Sequence, residues 1–381
     1  MYDGNMKKIA IIGGGAAGMS CAVLLAKKGL DVTLFERGER LGRKLSATGN
    51  GQGNVTNTDI RAERYFSDDL EKVGRILAHF GSEDAVRFLE GLGGVFLPDS
   101  RGRVYPASRQ ASAVTDLFRR EISRHHVNIL CSTHVQKLTF DRDFCIGWTG
   151  GHMHADAVVL ASGGKAATNF GTDGTAYALA EGFGHTVTPL FPALVQLRTQ
   201  PQHVRGLKGI RVDGGLTLER KGAKIFEGRG DILFTESGIS GDLAFRASSH
   251  AREGDIVVID LLPEVSEPLL TERVREGEDG LLCIVNNGLA RMLMKEAHGK
   301  NELIKLIKRF PLPITGTLGF DYAQVTKGGI PLNETDEHLM SRLQSGLYFA
   351  GEILNVDGEC GGYNLHWAFA SAHAVAEGIE C

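Results

Sequence analysis

Three glycines and one glutamate near the start of the chain have the spacing of a dinucleotide-binding turn. Gly13, Gly15 and Gly18 follow an apolar segment, and Glu36 lies 18 residues after Gly18. In this pattern the first glycine allows a tight turn and the second lets the backbone approach a pyrophosphate. The third lets a helix pack closely against a strand, and Glu36 would accept hydrogen bonds from the ribose hydroxyls.

The helix that follows this turn would direct its first N–H groups, with those of Ala16 and Ala17, at the phosphates. A helix N-terminus carries unpaired donors and a partial positive charge, and both favour an anion. The turn alone does not choose between FAD and NAD.

The segment RGERLGRK (37–44) follows Glu36 directly, and Arg37, Arg43 and Lys44 are among its positive charges. The Gly-Arg-Lys turn that contains Arg43 and Lys44 would reach the pyrophosphate or a flavin. On charge alone, a solvated loop fits these residues equally well.

Two later segments repeat the strand and glycine pattern and favour FAD. ADAVVLASGG (155–164) is an apolar strand that runs into Gly163 and Gly164. Near the C-terminus, GLYFAGE ends in Glu352, which would bind a ribityl chain, and a helix begins near Asn364. The N-terminus of that helix would stabilise negative charge at the N1–C2=O edge of a flavin. NAD enzymes do not need this second grip, so the two chain ends together predict FAD.

A flavin enzyme that adds hydrogen to its substrate would also need a proton donor. Four side chains are candidates by motif: Tyr105, Cys360, Tyr363 and His366. Tyr363 and His366 fit equally well as packing residues on the first turn of the last helix. Cys360 fits a bystander thiol as well as a group that faces the flavin. The six cysteines include no CxxC pair, so we expect no metal site.

The elements that must position these residues follow from the apolar periodicity. Strand, turn, helix and strand open the chain, and two amphipathic helices are expected within 65–91. A helix from about Ser108 to His125 and a buried strand at 127–131 follow, whereas the polar loop 47–57 is expected outside the core. From Leu312 to Gly346 the chain is expected to return through polar turns. We predict an α/β fold in four segments: a first part of the FAD-binding domain (1–190), a β-rich inserted domain (191–263), a helical inserted domain (264–311) and the C-terminal part of the FAD-binding domain (312–381).

Composition narrows the class of protein. The 381 residues are 42% hydrophobic and 23% charged, with a net charge of −4. We therefore expect a globular protein with no nucleic-acid partner and no membrane partner. The uncharged stretch between Lys8 and Lys27 is divided by its glycines into a short strand and a helix, which argues against a signal peptide or a membrane span. These features predict a cytoplasmic protein, and they leave its oligomeric state open.

Several co-linear motifs make the chain similar to a known family. They are GRKLSATGNGQGNVTN (42–57), RGRVYPASRQASAV (101–114), GHTVTPLFPALVQL (184–197), GDILFTESGISG (230–241) and GLYFAGEILNVDGECGGYNLHWAFASA (346–372). The chain resembles the BaiN-type flavoprotein family, also called the aminoacetone oxidase family of FAD-binding enzymes, over nearly its whole length. The resemblance implies a glutathione-reductase-like, FAD-binding Rossmann domain with an inserted β-barrel-like domain and a small helical domain.

The motifs and the resemblance together give the expected cofactor contacts, with Val135 acting through its backbone beside the adenine. These contacts are Gly13, Gly15, Ala16, Ala17, Gly18, Glu36, Arg37, Arg43, Lys44, Asn54, Val135, Gly163, Gly164, Glu352, Gly362, Tyr363, Asn364 and Leu365.

The chain departs from the family pattern at two loops. Gln52 and Gly53 stand where the family commonly has Arg and Cys, so this loop lacks a cation and a thiol. Asp242 stands where the family tends to have proline after Ser-Gly, which implies different substrate contacts there.

Three functions are compatible with the sequence. The first is a reductase that takes hydride from NAD(P)H as a transient donor and reduces an activated C=C bond in a small molecule, such as a bile-acid-like enone. The second is an oxidase of a small amine or aminoketone that uses O2, and the lack of a second strand–GxGxxG–helix unit favours it. The third is a flavin-binding scaffold or sensor with little turnover, with the charged segment 264–310 as its partner surface.

Overall fold

The computed structural model describes residues 6–274, 279–281 and 284–380. They form two compact units: one holds the chain up to Phe191 and from Val325, and the other is Pro192–Gln324. The helices are α1 (Ala16–Lys27), α2 (Leu70–His79), α3 (Ser82–Gly91), α4 (Ala111–Arg124), α5 (Tyr177–Glu181), α6 (Asp242–Ser248), α7 (Glu267–Val274), α8 (Asn287–Glu296), α9 (Lys300–Lys308) and α10 (Tyr363–Gly378).

The strands of both units are numbered in chain order. They are β1 (Lys8–Ile12), β2 (Asp31–Phe35), β3 (Thr56–Asn57), β4 (Tyr65–Ser67), β5 (Phe96–Pro98), β6 (Arg103–Pro106), β7 (Asn128–Leu130), β8 (Val135–Phe140), β9 (Phe144–Trp148), β10 (Gly151–Ala155), β11 (Ala157–Leu160), β12 (Phe191–Ala193), β13 (Leu197–Thr199), β14 (Arg211–Arg220), β15 (Ala223–Phe234), β16 (Gly238–Ser240), β17 (Ile256–Asp260), β18 (Phe310–Thr317), β19 (Val325–Lys327), β20 (Leu347–Phe349) and β21 (Val356–Gly358).

A parallel sheet is the frame of the first unit. Its strands run in the order β20-β11-β1-β2-β7, and each neighbouring pair is parallel. The central strands are apolar along their length because a parallel sheet is covered on both faces. Helix α1 connects β1 to β2 and packs against α10, so the first and last helices of the chain share one layer. The predicted α/β fold with a Rossmann domain is confirmed.

A closed antiparallel barrel is the frame of the second unit, in the order β13-β16-β15-β14-β17-β18. Apolar side chains of alternate strand positions fill it, as with Leu216 and Leu218 of β14 and Val257 and Ile259 of β17. Leu270, Leu289 and Leu303 of helices α7, α8 and α9 join the same hydrophobic core. The β-rich and helical inserted segments therefore belong to one unit. The four domain boundaries expected from the sequence stay a prediction.

Three local expectations were wrong. The segment 127–131 forms a strand, but β7 is at the edge of the sheet, and Ile129 is 38% exposed. The second half of the polar loop 47–57 is core, since Val55 and Thr56 are fully buried. The return segment after Leu312 was expected to run through polar turns, but it completes the barrel strand β18. The prolines of β18 disguise it, because a strand interior normally excludes proline.

Candidate functional site

The glycine turn between β1 and α1 has the geometry that its spacing predicts. A side chain at Gly13 would collide with the carbonyl oxygen of Ala161 at 2.5 Å, and one at Gly18 would collide with that of Gly13. By contrast, a side chain at Gly15 would meet nothing within 4 Å, and no side chain caps the helix there. The turn is therefore compact on the protein side and open where α1 begins at Ala16 and Ala17, as an anion site requires.

Glu36 lies at the end of β2 and closes this turn. Its carboxylate accepts hydrogen bonds from the backbone N–H of Gly14 at 2.9 Å and of Gly38 at 2.5 Å. Its own carbonyl accepts from the N–H of Thr133, which brings the chain just before Val135 of β8 to the same side. The structure thus places Glu36 beside the turn, and the contact of Val135 with an adenine stays a prediction.

The two ends of the sequence meet at a partly buried ion pair. Lys44 Nζ lies 2.7 Å from Glu352 Oε2, and the two side chains are 25% and 19% exposed. The other oxygen of Glu352 accepts from the N–H of Thr326 at 2.8 Å. A side chain at Gly164 would meet Thr326 Oγ1 at 2.5 Å and Glu352 Oε1 at 3.0 Å, so the paired glycines pass directly beside this cluster.

Arg37 and Arg43 bind a loop of their own unit. Arg37 forms an ion pair with Asp173 at 2.6 Å and also donates to the carbonyl of Gly171. Arg43 donates to the carbonyl of Asn169 at 3.0 Å. These arginines fix the segment that follows Gly163 and Gly164. The Thr172 hydroxyl within this segment donates to the carbonyl of Ala166. Because both arginines bond to the protein itself, direct phosphate binding by them stays a prediction.

The start of α10 is built by a tight loop. Gly362 has φ = 104°, and a side chain there would collide with the carbonyl oxygen of Thr56 at 2.4 Å and approach Asn54 Oδ1 at 2.8 Å. Asn364 exchanges two hydrogen bonds of 2.8 Å with the backbone of Gly358. The Asn364 side chain therefore shapes the loop, and no side chain caps the start of α10. Cofactor contacts through the backbone N–H groups of Tyr363, Asn364 and Leu365 stay a prediction.

His366 is held as a packing residue. Its Nε2 donates to the carbonyl of Phe80 at 3.0 Å, and its Nδ1 accepts from the Thr56 hydroxyl at 2.8 Å. Burial lowers the pKa of His366 to about 4, so the ring is neutral near pH 7. With its one proton committed to a carbonyl, His366 is poorly placed to donate it to a substrate.

The other candidate donors lie in two surroundings. Burial raises the pKa of Tyr363, and the charges of Arg64, Asp59 and Glu359 surround that phenol. Burial also raises the pKa of Tyr105, over whose ring the Arg109 guanidinium lies at 4.1 Å. Cys360 contributes to that rise, so its thiol and the Tyr105 phenol lie in one region. Their roles in proton transfer stay predictions.

Four buried polar side chains near these elements have atoms without a hydrogen-bond partner in the part of the chain that the structure describes. The atoms are Asn54 Oδ1, Ser162 Oγ, Tyr177 OH and both carboxylate oxygens of Asp357. Ser162 adjoins the glycine turn, and Tyr177 and Asp357 both interact with the charge of Glu352. Unsatisfied buried groups are costly, so their concentration here indicates a polar ligand. This region fits FAD, because it contains a glycine turn for the pyrophosphate, a carboxylate for the ribose and hydrogen-bond donors from both ends of the sequence.

Sequence reasoning missed four residues of this region: Ser162, Tyr177, Thr326 and Asp357. Ser162 precedes Gly163 within a motif already singled out, so it had a signal. Asp357 also lies within the C-terminal motif, but Asp before Gly is typical of a turn and gave no sign of burial. Residues 6–274, 279–281 and 284–380 contain no group of three or more His, Cys, Asp or Glu that could hold a metal. No helix among them is long and apolar enough to cross a membrane.

Comparison with known proteins gives matches along the whole chain. The model of the HI0933-like protein Rossmann domain matches residues 7–378. The 3-dehydro-bile acid Δ(4,6)-reductase of Clostridium scindens is 35% identical over 400 residues, which cover 97% of this chain and 98% of that protein. A ribosomal RNA dihydrouridine synthase of Escherichia coli is 29% identical over 395 residues, which cover 97% of each chain.

Solved structures of flavoenzymes share the fold. The 3-ketosteroid-Δ4-(5α)-dehydrogenase of Rhodococcus jostii superposes with a TM-score of 0.54 and 16% identity, covering 100% of this chain and 99% of that one. A flavocytochrome c3 fumarate reductase gives a TM-score of 0.52 at 16% identity, covering 99% and 79%. The resemblance inferred from the motifs is confirmed. The chain belongs to the HI0933-like, FAD-binding Rossmann family.

Proposed function

We propose that the protein is a flavin-dependent reductase that saturates a C=C bond conjugated with a carbonyl group, with NAD(P)H as the electron donor. The meeting of Lys44 and Glu352, from opposite ends of the sequence and 2.7 Å apart, carries the flavin assignment. When bound, FAD supplies a ring that accepts a hydride from a nicotinamide and passes it to an activated carbon.

The reaction class is supported by what the named relatives have in common. A Δ(4,6)-reductase of 3-dehydro bile acids and a dihydrouridine synthase both add two hydrogens across a C=C bond conjugated with a carbonyl. The balanced reaction is NAD(P)H, a proton and the enone going to NAD(P)+ and the saturated ketone. A small enone such as a bile-acid-like steroid is favoured, because identity is higher to the bile-acid enzyme and the net charge is −4.

The chain's own residues would hold the cofactor and shield its charge. The open turn at Gly15 and the start of α1 would bind the pyrophosphate, and Glu36 would bind the ribose. Lys44 and Glu352 would lie along the ribityl chain. The N-terminus of α10 would face the edge of the flavin that becomes negative, where its partial positive charge is stabilising.

Anaerobic stopped-flow spectroscopy tests this proposal. NADH or NADPH is expected to bleach the flavin, and a steroid 4-en-3-one or 4,6-dien-3-one should restore its colour and gain two hydrogens. Bleaching by aminoacetone alone, with peroxide formed on reoxidation, would identify the oxidase. A flavin inert to every donor and acceptor would favour the scaffold.

A matched pair of variants ties the result to the site. Lys44→Met is expected to lower FAD retention, because it leaves Glu352 as an unpaired, partly buried charge. Lys208→Met is the control, since its ion pair with Glu236 lies in the other unit with side chains 71% and 82% exposed. Equal FAD retention in both variants would remove Lys44 from the site.

Uridine in ribosomal RNA is the second candidate acceptor, favoured by the synthase relative at 29% identity. The absence of a nucleic-acid partner, expected from the net charge, therefore stays a prediction. Reoxidation of the reduced protein by unmodified rRNA, but not by the steroid enones, would assign this substrate instead.

A further inference from the structure

Asp357 is a buried carboxyl group that accepts no hydrogen bond from another described residue. It is 1% exposed, and neither of its oxygens has a hydrogen-bond partner in the structure as described. It lies in the middle of β21, which pairs antiparallel with β4 so that Asp357 stands opposite Phe66. A buried ionisable group normally receives hydrogen bonds from the chain that buries it, and leaving one bare costs free energy.

Two charged groups act on Asp357 from neighbouring elements. Lys327 projects from β19, and its Nζ lies 4.3 Å from the centre of the Phe66 ring. Glu352 lies in the short turn Gly351–Ile353, which also contacts β21. Burial raises the pKa of Asp357 to about 7. The charge of Lys327 and, to a smaller extent, the backbone N–H of Asp357 itself oppose the rise, and Glu352 adds to it.

The side chains that β4 and α10 place beside β21 are uncharged near neutral pH, and the ion pair of Arg64 with Glu359 flanks the two strands. Strand β4 contributes Tyr65, whose hydroxyl donates to the carbonyl of Tyr363 at 3.0 Å. Helix α10 contributes Tyr363 and Asn364, and Asn364 bonds to the backbone of Gly358. Burial raises the pKa of both tyrosines above the usual value, so both stay protonated.

This arrangement suits a group that changes its protonation during the reaction. Arrival of a hydride adds two electrons and one proton to the site, and therefore one negative charge. In a buried environment that charge is costly unless a proton or a cation offsets it. Asp357 interacts with the charge of Glu352, and its strand packs against α10. Glu352 and the start of α10 are the two features expected to flank the flavin.

We propose that Asp357 takes up one proton from water as the cofactor site takes up a hydride, so that the net charge of the site is unchanged, with Lys327 as its counter-charge before reduction. The carboxylate becomes a carboxylic acid, and the proton returns to water when the hydride leaves. Asp357 is thus a positioning residue that acts by keeping the net charge of the site constant. This inference rests on the flavin site of the proposed function but not on the identity of the donor or acceptor.

Proton uptake during reduction of the flavin-loaded protein tests the proposal without NAD(P)H or an enone. The protein is reduced with dithionite in weakly buffered solution, with a calibrated pH indicator and a protein-free control for the protons released by the reagent. At about pH 8 the wild-type protein should take up close to one proton per flavin more than Asp357→Asn. At about pH 5.5, where Asp357 is protonated before reduction, the two should agree. Equal proton uptake by the wild-type protein and Asp357→Asn at both pH values would overturn the proposal.

A second variant shifts the pH range of the extra proton uptake without removing the carboxyl group. Lys327→Gln removes the cation that favours the ionised form, so the extra uptake should appear only at higher pH than in the wild-type protein. An unchanged pH profile would contradict the role of Lys327, and this readout decides the matter even where Asp357→Asn fails to fold. Asp255→Asn, which changes a paired aspartate of the other unit, is the control and should leave the uptake as in the wild-type protein.

A failure of the proposed function would look different. A protein that recovers no colour with enones, yet shows the pH-dependent extra proton, would refute the acceptor and retain Asp357. A protein that reduces enones, but in which the wild type and Asp357→Asn take up equal numbers of protons, would retain the acceptor and refute the role of Asp357.

Discussion

Two aspartates, one in each unit, are nearly inaccessible to solvent and have opposite surroundings. Asp255 is 2% exposed and Asp357 is 1% exposed. Asp255 accepts hydrogen bonds of 2.8 Å from Arg220 Nε, from the Arg220 terminal nitrogen and from the N–H of Arg252. Asp357 has no hydrogen-bond partner among the residues described.

The pKa of each aspartate follows from these surroundings. Burial acts to raise the pKa of Asp255, but its hydrogen bonds and the charge of Arg220 outweigh burial and lower it. Burial prevails at Asp357 and raises its pKa to about 7. Asp255 lies in a less densely enclosed part of the protein than Asp357, so the difference comes both from a weaker effect of burial at Asp255 and from the partners that the chain supplies there. A satisfied acid stabilises the fold, whereas an unsatisfied one indicates that something outside the chain completes it.

The largest expected effect is on the stability of the flavin-free protein at Asp357. Its folded-state pKa lies above the unfolded value. The contribution of Asp357 to the free energy of unfolding is therefore fully present below about pH 4 and is lost as pH rises to about 7. Asp357→Asn removes this loss and should raise the free energy of unfolding at about pH 8 by about 2–4 kcal/mol. Urea unfolding followed by tryptophan fluorescence reports on this unit, because Trp148 and Trp367 both belong to it.

The pH dependence is the sharper part of this prediction. The gain of Asp357→Asn over wild type should shrink to nearly nothing at about pH 4, where both side chains are neutral. A variant that is less stable than wild type at about pH 8 would show that the carboxylate has a structural partner, and the contrast with Asp255 would be lost.

Asp255→Asn should have the opposite sign. It loses charge-assisted hydrogen bonds from Arg220 and should lower the free energy of unfolding of the barrel unit by about 2–3 kcal/mol at pH 7. Because the folded-state pKa of Asp255 is lowered, this stabilisation is present above about pH 4 and is lost as pH falls through the folded value. Hydrogen exchange of the β17 amides measures it, and a loss that is constant from pH 7 to about pH 3 would contradict the ion pair.

Glu36 lies between these extremes and gives the third prediction. Its oxygens accept from Gly14 and Gly38 but leave lone pairs for a ribose. Glu36→Ala should weaken FAD binding by about 1.5–3 kcal/mol, or roughly 10- to 150-fold, as measured by fluorescence titration. Glu36→Gln keeps one acceptor oxygen and should fall between wild type and Glu36→Ala. Unchanged affinity in Glu36→Ala would remove this residue from the site.

The sequence predicted those parts of the site that depend on local rules. The glycine turn, Glu36 and the strand that leads to Glu352 follow from steric and hydrogen-bonding needs within a few residues of chain. The pairing of Lys44 with Glu352 could be expected only because both ends pointed to one ligand. These two residues are 308 positions apart in the sequence, so only the folded structure shows how close they lie.

What the sequence could not give depends on burial by distant elements. Asp357 is dry because β21 pairs with β4, a strand near the other end of the chain. Strand β18 was missed because its exposed prolines hide the inward alternation of Phe310, Leu312 and Ile314. His366 was a candidate donor until the fold placed Phe80 and Thr56 against its two nitrogens.

The smallest expected effect extends the comparison to two serines of the first unit. Ser371 donates to the carbonyl of Trp367 and accepts from the N–H of Gly351, whereas Ser162 Oγ has no partner in the described chain. Ser162→Ala should leave stability nearly unchanged and weaken FAD binding by about 0.5–1.5 kcal/mol, or roughly 2- to 13-fold. Ser371→Ala is the matched control, and it should lower stability by about 1–3 kcal/mol because the N–H of Gly351 loses its acceptor. Unfolding and FAD titration of both variants would separate the two roles, and a Ser162→Ala protein that loses stability but binds FAD normally would show that an unsatisfied atom does not identify the site.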